Sequence, residues 1–212
     1  IDFLTTRPME IEKKSFEIIK GELGEEFVSR YPADALPVLC RVIHTTADFS
    51  YRDTLTITDG AIEKAKEAIR RGLPIITDTT MAASGINKTA AGKFGIEVRC
   101  FIGDEDVKAK AKESGMTRSA VSVEKAAGCY PECIYAVGNA PTALMRLYEL
   151  IEEKKIRPAL IIGVPVGFVN VVEAKELILR TDVPAIVARG RKGGSNIAAA
   201  ICNALMYEAG GR

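Results

Sequence analysis

Histidine is almost missing from this sequence: His44 is the only one in 212 residues. That scarcity excludes a His-rich metal cluster, and a Ser-His-Asp triad would have to use His44, beside which no serine is poised. An excess of charge of one sign is missing too. Lys plus Arg number 29 and Asp plus Glu 28, a net charge of +1, which argues against nucleic acid or an anionic membrane surface as the main partner. No apolar run approaches the roughly 18 to 20 residues that span a bilayer. The opening residues, Ile1 to Pro8, lack the basic-then-apolar order of a signal peptide, and Ile1 in place of an initiator methionine fits a trimmed start. The five cysteines, at 40, 100, 129, 133 and 202, are odd in number and scattered. They suit free thiols in a reducing cytoplasm better than a disulfide framework. Cys129 and Cys133 flank Pro131 but have no histidine nearby to complete a tetrahedral zinc shell. A Gly-x-Ser-x-Gly nucleophile elbow, a Walker loop and a dinucleotide-binding glycine fingerprint are all absent. Internal repeats, long linkers and low-complexity segments are absent as well.

What is present is ordinary globular composition, 47% hydrophobic and 27% charged, over a length that fits a single domain spanning 1–212. Apolar spacing predicts an amphipathic helix over Glu10 to Leu23, closed by Gly24, and a second over Ala33 to Thr46 with Pro37 in its first turn. Thr54 to Thr58 is a short β-prone piece, after which Asp59 is expected to cap a helix to Arg71. From there short apolar strands alternate with helices. Strands are expected over Pro74 to Thr77, Ile96 to Ile102, Cys133 to Val137, Leu160 to Gly163 and Ala185 to Ala188. This alternation predicts an α/β fold: a three-layer α/β/α, flavodoxin-like sandwich with a five-stranded parallel sheet and extra N-terminal helices. Ligands bind such sheets at the carboxyl ends of the strands. Those ends carry Asp78, Asn139, Pro165 and Arg189.

Three stretches at those ends invite chemistry. Gly138-Asn-Ala-Pro-Thr142 places Asn139 at a helix start, where free N–H groups favour an anion; equally, Asn139 is simply the cap. Arg189-Gly-Arg-Lys-Gly-Gly-Ser195 is a cationic, glycine-rich loop opening a helix, suited to carboxylates or phosphates, or only a solvated basic turn. Arg118 stands at a helix start, where the dipole disfavours a cation, a weak pointer to an anionic ligand. His44 itself lies three residues from Arg41 and four from Asp48 on one helical stripe. The group reads either as a tuned acid or as a surface salt-bridge cluster around a bonded histidine. The role of Ser15, inside the first helix, is not decided by spacing.

Four stretches occurring together and in order carry a resemblance: Arg41-Val-Ile-His-Thr-Thr-Ala-Asp-Phe49, Gly138-Asn-Ala-Pro-Thr-Ala-Leu144, Gly163-Val-Pro-Val-Gly-Phe-Val169 and Arg189-Gly-Arg-x-Gly-Gly-Ser195. They resemble the precorrin-8X methylmutases of cobalamin biosynthesis, from Glu10 to about Leu205, and the His-Thr-Thr-Ala-Asp-Phe wording is closer to the cobalt-using branch. The resemblance implies a flavodoxin-like homodimer with the site near its interface. It implies an isomerase that moves a methyl group from C11 to C12 of a corrinoid by a [1,5]-sigmatropic shift, giving cobyrinate or hydrogenobyrinate. It places the catalytic histidine on His44 and substrate-contacting residues on Ser15 and Arg41. A methyl shift needs no redox cofactor and no nucleophile, only a positioned acid. The carboxylates of the corrinoid make Arg41, Arg118, Asn139 and Arg189 expected clamps. The competing expectations are a non-catalytic corrinoid carrier, with His44 as axial ligand, and an unrelated flavodoxin-like enzyme holding phosphate at the Arg189 loop.

Overall fold

The structure is a computed structural model describing residues 7–211. Helices α1 (Pro8–Leu23), α2 (Glu25–Arg30), α3 (Leu36–Thr46) and α4 (Tyr51–Thr54) precede β1 (Leu55–Ile57) and α5 (Ala61–Arg70). Strand β2 (Ile75–Thr77) leads into the short helices α6 (Thr80–Gly85) and α7 (Lys88–Lys93), then β3 (Val98–Arg99), α8 (Glu105–Ser114) and α9 (Arg118–Cys129). Elements β4 (Ile134–Val137), α10 (Pro141–Glu152), β5 (Leu160–Gly163), α11 (Val171–Ile178), β6 (Ala185–Ala188) and α12 (Ser195–Met206) then alternate, and a wider helical turn follows over Tyr207–Gly211. The first residues, where the trimmed start and the signal-peptide reading fall, lie largely outside the described residues.

The sheet has six strands in the order β1-β6-β5-β4-β2-β3. This corrects the expected five. The run β3-β2-β4-β5-β6 is parallel and doubly wound, but β1 joins its edge antiparallel, pairing Leu55 with Ala188 and Ile57 with Ile186. Three residues are too few to declare a strand by pattern, and the pairing that makes them one is with a distant segment. The strand expected over Ile96 to Ile102 shrinks to Val98–Arg99, an edge strand bonded only to β2. The helix expected from Asp59 instead has Gly60 as its cap residue, at φ 71°. The helix expected from Ala33 begins at Leu36, and α6 and α7 occupy the stretch between the first two expected strands, to which no element was assigned.

Strand residues alternate between two cores, as the two-residue period of a strand requires. Ile75, Ile134, Ala136, Leu160, Ile162 and Ile186 face a core shared with α3, α5 and α12. Ile76, Tyr135, Val137, Ile161 and Val187 face the core formed with α9, α10 and α11. Helix α12 is buried over most of its length, and its alanines allow close approach: a Cβ on Gly85 would meet that of Ala199 at 2.8 Å. Helix α3 packs on α12 through Val38, Leu39, Val42 and Ile43, each at most 1% exposed. Burying each is worth about 1.5–3 kcal/mol. That packing leaves the opposite stripe, with His44 and Thr45, facing out.

Candidate functional site

His44 occupies the last turn of α3 and is exposed. Its ring meets Phe16 of α1 edge to face, with centroids 5.4 Å apart and planes at 85°. Arg41, one turn earlier, is half-buried. Its guanidinium lies over the rings of Phe16 at 4.7 Å and Tyr207 at 5.4 Å and pairs with Glu12. Arg41 Nε is buried and accepted by no partner among the described residues. Glu12, Phe16 and Tyr207 thus gather around Arg41, and this cluster meets His44 through Phe16. Ser15, the neighbour of Phe16 on α1, is half-buried.

Asp48 does not complete a stripe with Arg41 and His44, because α3 ends first. Ala47 turns left-handed at φ 52°, ψ 27° and its N–H returns to the Ile43 carbonyl. Asp48 instead reaches across to the β6–α12 loop, where Lys192 Nζ donates to it at 2.6 Å and to Ser50 Oγ at 3.0 Å. The hydrogen bonds from Lys192 and Ser50 pull the Asp48 carboxyl down to about 2. The backbone N–H of Arg189 donates to the Thr54 carbonyl at 2.8 Å, tying the same two segments again. The helix that carries His44 is therefore fastened to the carboxyl edge of the sheet.

The cationic loop is spoken for in part. Arg189 forms a two-pronged pair with Glu176 at 2.9 and 2.7 Å, Lys192 holds Asp48, and Arg191 rests over the Phe168 ring at 5.5 Å. Among the described residues Arg191 makes no ion pair. Beside it Val166, Phe168 and Val169 stand out from the β5–α11 loop, the last two 82% and 76% exposed.

The helix start after β4 is already occupied by a carboxyl group of the chain. Asp78, at the end of β2, accepts from the N–H groups of Gly138, Asn139 and Ala140 at 2.7–2.8 Å. Burial pushes this carboxyl up, and the three amides pull against that shift. The β2/β4 junction is the switch point where a doubly wound sheet ordinarily takes a ligand; here the chain fills it with its own carboxylate. Ala140, not Asn139, is the residue capping α10, and the Asn139 side chain is exposed. Arg118 is exposed on α9, whose cap Thr117 bonds Thr142 of α10 at 2.8 Å, so Arg118 stands beside the β4 loop. Thr79 and Ser195 share a 2.7 Å hydrogen bond that joins the β2 and β6 loops.

The structure thus gathers His44, Arg41 and Ser15 at the α1–α3 corner, and Arg189 with Arg191 beside it. Asn139 and Arg118 stand farther along the rim; β4 and β6 are two strand spacings apart, roughly 10 Å. Sequence reasoning missed Asp78 as the resident acceptor of three backbone N–H groups and Phe16 as the partner of His44. An acid immediately after a strand and an aromatic on the preceding helix were the available signals. Cys129 is exposed and Cys133 buried, both free thiols.

Comparison with known proteins follows the same contour. The family model for precorrin-8X methylmutase (CbiC) matches residues 10–208. The chain is 42% identical to the cobalt-precorrin-8 methylmutase of Leptospira interrogans, over 96% of this chain and 94% of that protein. It is 45% identical to that of Salmonella typhimurium, over 95% of each. It is 37% identical to the precorrin-8X methylmutase of Pseudomonas aeruginosa, over 93% of this chain and 94% of that protein. The solved precorrin-8X methyl mutase of Thermus thermophilus superposes with a TM-score of 0.85 at 39% identity, covering 94% of this chain and 96% of that one.

Proposed function

The chain belongs to the precorrin-8X methylmutase family, and from that premise we propose how it works. It is an isomerase of cobalamin biosynthesis that shifts a methyl group within cobalt-precorrin-8 or precorrin-8X. Our reading of the step is transfer from C11 to C12, assisted by a proton. The imidazolium of His44 delivers that proton to the conjugated ring, the ring becomes more electron-poor, and the methyl migrates within the same face. The proton then returns to the imidazole, so no atom is gained or lost. A single positioned acid of this kind contributes about 100- to 10,000-fold. The observation that carries the reading is His44, the one imidazole of the chain, exposed on α3 with its ring seated on Phe16 and its helix fastened to the cationic loop.

Substrate carboxylates engage Arg118 and the Arg189–Arg191 loop, and Ser15 and Arg41 frame the acid. Arg189 has to exchange Glu176 for substrate, whereas Arg191 is the readier clamp. Asn139 contributes through its exposed side chain, because its N–H is committed to Asp78. The cobalt-containing form is the substrate we favour, in keeping with the names of the Leptospira and Salmonella relatives. One methylmutase unit spans the chain, and its five free thiols suit a reducing cytoplasm. A second copy closes the site: the open rim of one sheet cannot enclose a broad macrocycle, and exposed Phe168 and Val169 offer an apolar surface there.

Incubation with cobalt-precorrin-8 and with precorrin-8X, followed by visible absorbance, tests the reading. Conversion of at least one is expected. Binding of both without a spectral change would favour a carrier and sink the proposal.

A further inference from the structure

Lys175 lies in the middle of α11 with none of its surface exposed. Lysine is almost never buried so fully unless paired, yet among the described residues no carboxylate takes this one. Its Nζ instead donates to two backbone carbonyls, those of Gly190 and Lys192, each at 2.8 Å. The carbonyl between them, of Arg191, accepts from the Gly167 N–H at 3.1 Å. The Gly190 and Lys192 carbonyls of the β6–α12 loop are thus drawn in to Lys175 and the Arg191 carbonyl is tied to the β5–α11 loop, while the side chains of Arg191 and Lys192 are exposed. The next residues are held as firmly. Gly194 donates to the Val164 carbonyl at 2.8 Å, and a Cβ on Gly193 would stand 2.2 Å from that oxygen.

An ammonium suits this position. It offers three donors on a long apolar stem, which can cross the core of α11 and still satisfy two oxygens. Charge matters as well. Of Arg189, Arg191, Lys192 and Lys175, only Arg189 and Lys192 have acidic partners, Glu176 and Asp48. The loop therefore carries uncompensated positive charge toward the rim.

We propose that Lys175 is a positioning residue for substrate binding: from inside the fold it sets the loop in the one shape that presents Arg189, Arg191 and Lys192 to the carboxylates of the corrinoid. This rests on the reading of the rim as the methylmutase site. Preorganising the loop in this way removes the cost of ordering it when substrate arrives.

The test is Lys175→Met, similar in length and without donors, assayed with cobalt-precorrin-8 and followed by amide hydrogen exchange in the free enzyme. The expected result is a KM raised at least tenfold with kcat within threefold, and faster exchange confined to the 189–195 loop. Arg191→Ala alone is expected to raise KM, and to raise it no further when added to Lys175→Met, because both act through one loop. A purely structural lysine would lower the melting temperature and leave the KM of the folded variant unchanged. A folded Lys175→Met enzyme with the wild-type KM overturns the proposal. Should that variant not fold, the wild type decides alone. The Gly194 amide must then exchange slowly before any corrinoid is added, and free exchange there overturns the proposal equally. Failure of wild-type turnover would count against the rim as a methylmutase site, while the exchange comparison still reports on Lys175.

Discussion

Phe16 bears on His44 from one side, and the residue is otherwise exposed and open to a ligand. Replacing His44 by Ala is expected to reduce isomerisation by about 100- to 10,000-fold, with cobyrinate affinity within roughly tenfold of wild type because the carboxylate contacts remain. Absorbance titration beside turnover measures both, and an active His44→Ala enzyme would end the acid role. Arg41 presents a flat guanidinium, which lies over two rings while pairing with Glu12. Lysine keeps the charge but not the plane. Arg41→Ala is therefore expected to weaken corrinoid binding more than Arg41→Lys; equal affinity in both variants and wild type would remove Arg41 from the site. Lys175 has a second signature, in stability. Burial lowers its pKa from 10.5 to about 8. Between those values the unfolded chain holds a proton that the native one has lost, so stability rises with pH across that window. The difference in stability between wild type and Lys175→Met, followed by urea unfolding, should therefore shift in favour of wild type from pH 8 to 10.5. A flat difference would show that the ammonium is better solvated than its burial implies.

The end of α3 decides where His44 points, and Ala47 makes that end in a left-handed conformation that suits glycine better. Ala47→Gly is expected to stabilise the fold by about 0.5–1 kcal/mol with turnover unchanged; a lower melting temperature would mean that the turn is not strained. The loop after β4 depends on Asp78 in the opposite sense. Asp78→Asn swaps one acceptor oxygen for an amide facing N–H donors, and should cost about 1–3 kcal/mol in thermal or urea unfolding. These elements also show what was legible beforehand. The runs at Ile134–Val137, Leu160–Gly163 and Ala185–Ala188 read as buried parallel strands because they are apolar throughout and bounded by turn residues. The helix starts near Asn139 and Arg118 were legible through local chemistry, Pro141 standing in the first turn of α10 and Thr117 capping α9. Leu55–Ile57 did not announce its pairing, and Asp78 did not announce its amides, because each acquires its role from partners far along the chain. His44 and the Arg189 loop stood out by rarity and by glycine-cation wording. Lys175 looked like any helical lysine, since nothing local distinguishes a buried one.

At the scale of the molecule, the carboxyl rim joins α3, β1 and the last loop into one ledge, with Phe168 and Val169 exposed beside it. A stable homodimer is the expected state, and sedimentation at working concentration measures it; a fully active monomer would show that one chain encloses the ring alone. The packing of α3 on α12 and the pairing of β1 with β6 have a further consequence, in the order of synthesis. The histidine segment leaves the ribosome early, whereas the helix and strand it rests on come near the end of the chain. At about 5–20 residues per second, Val38, Leu39, Val42 and Ile43 spend on the order of ten seconds without their seat. A nascent chain stalled before Ser195 would carry the histidine on a helix whose opposite, apolar stripe is uncovered, a species for chaperones to hold rather than a partly working enzyme. Contacts so distant in sequence also close slowly. Catalytic competence should therefore arrive all at once, with the last helix, and not grow as the chain lengthens.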